Sequence, residues 1–171
     1  MTVLIVVIIT ILLAVVLIHK VDQRRWKRYQ LERDVYFSKY PYVYKGRDQF
    51  DIGLSVPKLS QLKLINLLML KSTQQYLYKN MRLLRGDGQC LNRIQVLMDE
   101  LYLGILEPSY AEQLCSHLSH TDFIIGRPIE ILAEIFVLSP EQGLGLCKIH
   151  LDLPLNPEHV LYGLTEPETS P

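Results

Sequence analysis

The chain has 171 residues, with 18 Lys/Arg against 18 Asp/Glu and a formal net charge of zero. Past residue 48 the balance is mildly acidic and carries no Lys/Arg stripe, which argues against a nucleic-acid partner. Its cysteines, Cys90, Cys115 and Cys147, are odd in number and scattered, so they read as reduced thiols packed like small apolar side chains and not as a disulfide framework.

Residues 1–18 form an uncharged apolar run whose only polar side chains are Thr2 and Thr10. A helix rising about 1.5 Å per residue needs roughly 17–25 residues to cross a bilayer core, so the expectation is a transmembrane anchor over 1–19. Lys20, Arg24, Arg25, Lys27 and Arg28 follow at once. With no basic side chain before the run, the positive-inside rule predicts a lumenal N-terminus and a cytosolic remainder. Trp26 fits an interfacial aromatic. A cleaved signal would want the basic stretch first and a small-x-small site after the run, and Leu17-Ile18-His19 offers none. The sequence holds no Asn-x-Ser/Thr acceptor, in keeping with a minimal lumenal part.

The remainder suits one small domain. The anchor helix is expected to continue through residue 32. Residues 20–56 then form a basic juxtamembrane helix and a tyrosine-rich extended segment, with Tyr36, Tyr40, Tyr42 and Tyr44 among Pro41, Gly46, Gly53 and Pro57. Residues 57–150 read as helices. Pro57 opens a helix in which Leu59, Leu62, Ile65, Leu68 and Met69 recur at three- and four-residue spacing, carried on through Leu84 to Gly86-Asp87-Gly88. A second covers 89–103, with Leu91, Ile94, Leu97, Met98 and Leu101 on one face and Gly104 at its end. Pro108 opens a third through Leu118, and Pro128 a fourth over 129–138, stopped by Pro140. Residues 151–171 are a Pro-rich extended or disordered tail. The expected fold class is therefore all-α: one transmembrane helix, a small cytosolic helical domain and a tail.

No cluster of reactive residues outweighs its structural reading. Cys115-x-His117-x-x-His120 has metal-like residue types, but those offsets do not share a helix face, so no metal is expected. Gly86-Asp87-Gly88-Gln89-Cys90 lacks the Gly-Lys-Ser/Thr of a phosphate loop. Cys90 or Cys115 could pair with His150 as nucleophile and base, and Glu130 and Glu134 lie one helical turn apart. Buried thiols and a solvated carboxylate face explain them as well. No cofactor and no catalytic site are expected. The apolar excess of 59–70 and the aromatic stretch 36–44 have two readings, a core or a permanent protein partner. On the second, the interface residues are Tyr36, Phe37, Tyr40, Leu62, Ile65, Leu68 and Met69.

The order of features, Arg33-Asp34-Val35-Tyr36-Phe37-Ser38, then Leu101-Tyr102-Leu103-Gly104-Ile105-Leu106 with Tyr110, then Leu138-Ser139-Pro140, resembles a known family. It is similar to the membrane-anchored accessory subunit of the endoplasmic reticulum post-translational translocon, the Sec sixty-six or Sec seventy-one family. The resemblance implies a non-catalytic subunit in the endoplasmic reticulum membrane. Its partners would be a tetratricopeptide-repeat subunit, the J-protein subunit and the channel, with no small-molecule substrate. Two other readings compete: a helical adaptor on another organelle such as the mitochondrial outer membrane, and a small membrane-bound enzyme using Cys90, Cys115 or Glu130.

Overall fold

The computed structural model describes residues 2–68, 75–86, 93–137 and 147–166. The chain divides into two compact units, Met1–Lys39 and Tyr40–Pro171. The first is one helix, α1 (Thr2–Lys39), in which apolar sequence gives way to charge at Lys20 without a break. Among the described residues no helix is long and apolar enough to cross a membrane, so the transmembrane helix expected in the fold class is corrected to this continuous, mixed-character helix.

The second unit overturns the all-α expectation. Its elements are β1 (Tyr42–Tyr44), β2 (Ile52–Leu54), α2 (Lys58–Leu67), β3 (Gln75–Arg85), β4 (Ile94–Met98), β5 (Leu101–Ile105) and α3 (Pro108–His117). A 3-10 turn (Asp122–Ile125), β6 (Ile129–Val137), β7 (Cys147–Leu151), α4 (Glu158–Gly163) and β8 (Leu164–Thr165) complete it. All the strands belong to one sheet of order β2-β7-β6-β3-β4-β5, with β1 beside the start of β6 and β8 beside β1. Among the described residues every pairing is antiparallel except β1 with β6. The tail expected to be extended contributes α4 and β8 instead.

The strands form because inward positions alternate. In β6, Ile129, Ile131, Ala133, Ile135 and Val137 are all buried, while Glu130, Leu132, Glu134 and Phe136 face outward and are only half-buried. That is a period of two, and it suits a sheet with one buried face. Leu132 and Phe136 on the outer face fill the gaps of the pattern and mimic a helical stripe. Of the helix predicted over 89–103, the described residues 94–103 instead belong to a hairpin, turned at Asp99 and Glu100, with Asp99 at φ 53° and Ile94, Val96 and Met98 inward. The helix begun at Pro57 does form, but as α2 it stops at Leu67, and 75–84 belong to β3.

A bulge between Val96 and Leu97 bends the β4–β5 hairpin. The two ends of the strand path meet where Gly104 of β5 lies against Leu54 and Ser55. A Cβ at Gly104 would stand 2.8 Å from the Ser55 carbonyl oxygen, so only glycine permits that approach. Curled in this way, the sheet encloses a core built from Leu64 of α2, Met81, Leu83, Val96, Ile131, Ile135 and Ile149. Leu114 and Leu118 at α3, Phe123 and Val160 belong to the same core. Each such side chain contributes about 1.5–3 kcal/mol through the apolar area removed from water.

Candidate interaction surface

On α1, Lys20, Arg24, Arg25, Lys27 and Arg28 are all exposed. At 3.6 residues per turn, Lys20, Arg24, Lys27 and Arg28 fall within an arc of about 100°, a basic stripe, with Arg25 beside it. Trp26 and Tyr29 stack with their ring centroids 5.7 Å apart on another face. Before the stripe, Leu12, Leu13, Val15, Val16, Leu17 and Ile18 are each more than half exposed. An exposed apolar series of this extent on one helix marks an interaction surface.

The residues expected to form a partner interface divide between the two units. Tyr36 is exposed on α1, and Arg33 places its guanidinium 5.7 Å from the Phe37 ring centroid while pairing with Asp34 at 2.8 Å. Tyr40 begins the second unit, and its carbonyl accepts a 2.8 Å hydrogen bond from Arg127 Nε. Leu62 is exposed, whereas Ile65 and Leu68 are partly buried against the core; Met69 lies outside the described residues. The described part of this stretch is thus divided, with Leu64 in the core, Ile65 and Leu68 packed partly against it, and Leu62 and Leu67 exposed. Leu64, wholly buried, was not singled out by the spacing.

Two buried charged groups hold the second unit together, and neither is marked by any sequence motif. Arg127 is buried, stacked 4.0 Å over the Tyr42 ring, with Asp122 and Glu166 each 3.5 Å from its Nη1. It thus joins the start of the unit to β8's end. The Asp152 carboxylate accepts from the backbone N–H groups of Arg47, Asp48 and Gln49 at 3.1–3.2 Å, organising the loop between β1 and β2. That loop carries Asp48 and Phe50 at positive φ, 55° and 47°. Gly46 passes so close that a Cβ would overlap the carboxylate.

The candidate reactive groups are dispersed. Cys115 faces the core from α3 while His117 and His120 are exposed, and no metal-holding cluster exists among the described residues. Glu130 and Glu134 lie on the outer face of a strand instead of one helical turn apart. Glu130 pairs with Arg82 at 2.9 Å, and Glu134 accepts a 3.3 Å bond from the Tyr78 hydroxyl. The Glu134 charge holds that hydroxyl above the usual tyrosine range. His150 Nδ1 stands 3.3 Å from the Phe50 carbonyl oxygen. Cys90 lies outside the described residues. Glu107 caps α3, accepting from the Ser109 hydroxyl and from the N–H groups of Ser109 and Tyr110. The Ser109 hydroxyl bond, chiefly, keeps its carboxyl below the ordinary value.

Burial pushes the Cys147 thiol up to about 11 and raises that of Cys115 as well. Thiolate is the reactive form, so both are poor nucleophiles near neutral pH. In a Cys90→Ser background, the native full chain is expected to leave both thiols unreacted with a disulfide reagent at pH 8, and to titrate both once denatured. Rapid labelling of either in the native state would revive the enzyme reading.

The outer face of the central strands is aromatic. Tyr76 and Phe136 approach to 4.6 Å between centroids, and Phe50 and Tyr78 to 5.5 Å. Tyr76 and Tyr78 are exposed. The fold is thus a curled antiparallel sheet packed with short helices, joined in sequence to a helix with an apolar and a basic part. No family model matches the chain, and no curated protein or solved structure is similar to it.

Proposed function

We propose that the protein is a non-catalytic adaptor, held at a membrane by the apolar end of α1 and binding other proteins through its sheet domain. The observation that carries this reading is the exposed apolar series Leu12–Ile18 followed directly by the basic stripe. An apolar helix end that lipid can cover, followed along the axis by Lys/Arg that anionic headgroups attract, supplies the two contacts a membrane-surface anchor needs. Structural partners of Glu130 and Glu134, and buried thiols with raised pKa values, favour binding over catalysis. The most specific form of the reading is the tethering of a repeat subunit beside the endoplasmic reticulum channel. One motif behind that form, Leu101 to Leu106, belongs to a strand and its exit instead of a helix, and Leu138-Ser139-Pro140 lies outside the described residues. The general form is therefore the one put forward.

Vesicle flotation tests it. The full chain is expected to float with phosphatidylcholine vesicles, more completely when phosphatidylserine is included. The double variant Leu13→Asp, Leu17→Asp should stay at the bottom of the gradient. Arg24→Glu, Lys27→Glu and Arg28→Glu together should cancel the phosphatidylserine preference, at about 1 kcal/mol per basic residue removed. A wild-type chain that does not float, or a double variant that floats equally well, would end the membrane half of the proposal.

A further inference from the structure

β3 is longer than the strand beside it. It pairs with β6 from Gln75 to Leu83, but β4 covers only Arg82 to Arg85. On that side no strand among the described residues pairs with 75–81. Which backbone groups face the open edge follows from the printed geometry of the neighbours. Asp152 N–H donates to the Leu132 carbonyl, so Leu132 directs its backbone groups away from β3. Its cross-strand partner Asn80 therefore sits in a non-bonded pair with β6 and turns its own N–H and C=O outward. Gly86 N–H donates to Arg93, which sets the same parity from the other end of β3. Tyr76, Tyr78 and Asn80 thus present their N–H and C=O groups to the open edge.

Beside this edge lies a cleft of about 530 Å³ lined by Leu67, Leu68, Tyr78, Lys79, Asn80, Met98 and Asp99. Tyr78, Lys79 and Asn80 are all exposed, which breaks the strand's alternation. Lys79 stands opposite the wholly buried Ala133, so its position belongs to the inward side of the sheet. An inward lysine on an open edge discourages indiscriminate pairing. It also specifies a partner, because an opposite charge across from it is favourable and a like charge is not.

We propose that this edge takes up an extended segment of another protein as an added antiparallel strand, in the track that β4 vacates at Asp99, with an acidic side chain opposite Lys79. Main-chain bonds to Tyr76, Tyr78 and Asn80 supply affinity, and the Lys79 charge with the apolar wall of Leu67, Leu68 and Met98 supplies selectivity. The antiparallel direction brings the incoming segment's amino-terminal end to the Asp99 carboxylate. About six residues at 3.4 Å each fill the edge. A second copy fits less well: β3 paired with itself about Tyr78 would set the two Lys79 side chains diagonally, about 7–8 Å apart. The inference names the partner class for the adaptor reading and rests on its binding half; because its readout is peptide capture and not flotation, the two fail separately.

The test pans a displayed library of random twelve-residue peptides against the full chain in detergent micelles. Asn80→Pro removes one outward N–H without touching the β6 ladder, and proline is tolerated on an edge. Enriched peptides should carry Asp or Glu within an alternating apolar pattern and lose at least tenfold in affinity for Asn80→Pro and for Lys79→Glu. Replacing their acidic residue by Lys should restore binding to Lys79→Glu, which keeps the test decisive if the proline variant misfolds. Amide exchange at Tyr76, Tyr78 and Asn80 should slow on binding. The proposal is overturned by a library that yields nothing beyond what Asn80→Pro also captures, by protection elsewhere in the sheet, or by a chain that dimerises through this edge.

Discussion

Ile135→Asp is expected to abolish cooperative folding of the sheet domain. Ile135 is wholly buried in β6, opposite Leu77 on one side and Ile149 on the other. The change removes a buried apolar side chain and puts a carboxylate where water cannot reach it. That costs several kcal/mol, against a total stability of about 5–15 kcal/mol for a domain of this size. The informative contrast is Leu132→Asp, three positions earlier. On a helix the two would share a face and fail together; on β6 Leu132 points outward, and its change should cost about 1 kcal/mol. Thermal melts followed by circular dichroism check both. Equal loss in the two variants, or a normal melt for Ile135→Asp, would contradict the alternation of this strand.

Asp152→Ala should be the most damaging substitution of a polar side chain in the domain. It strips the acceptor from the N–H groups of Arg47, Asp48 and Gln49 in a part-buried loop. Each buried donor left without a partner costs about 1–3 kcal/mol, and the loop's partial exposure lets water recover some of that. A loss of about 2–4 kcal/mol is expected, read as a melting temperature lower by roughly 10 °C. Asp152→Asn, which keeps a single acceptor oxygen, should fall between. Gly46→Ala should reproduce much of the loss, since its Cβ would displace the carboxylate. Limited proteolysis provides a local readout: cleavage should appear between residues 45 and 51 in the alanine variant. An Asp152→Ala protein as stable and as resistant as wild type would mean that the loop needs no such anchor.

Some elements were legible because their cause is local. Pro108 at the first turn of α3 and the helix through His117 agree with the spacing, and Glu107 completes the cap. The start of α2 just after Pro57 was read from the same kind of signal. The change from apolar to basic along α1 is written directly in residues 1–28. Tyr42 and Tyr44 in an extended segment that lies against something are observed as β1, both rings buried.

What failed is equally specific. Residues 129–137 contain Glu, Leu and Ala, good helix formers, and outward Leu132 and Phe136 blur the alternation of Ile129, Ile131, Ala133, Ile135 and Val137. A period of two and a period of 3.6 then fit almost equally well over nine residues, and Pro128 before the run with Pro140 after it favoured the helical reading. Only the neighbours β3 and β7, which supply hydrogen bonds and a shared buried face, decide for the strand. In β3 the inward Lys79 interrupts the apolar alternation, so the strand resembled the tail of the helix before it.

By itself the amino-acid order determined the character of α1, the capped start of α3 and the separation of the candidate reactive residues along the chain. The tertiary structure alone decided that three apolar stretches pair as strands, that Asp152 and Arg127 are buried pins, and that β3 outruns β4. Hydrogen-bond partners in a sheet come from distant residues, so pairing, register and an unpaired edge are properties of the assembled chain. A helix closes its bonds within four residues, and its signals are therefore readable where they stand.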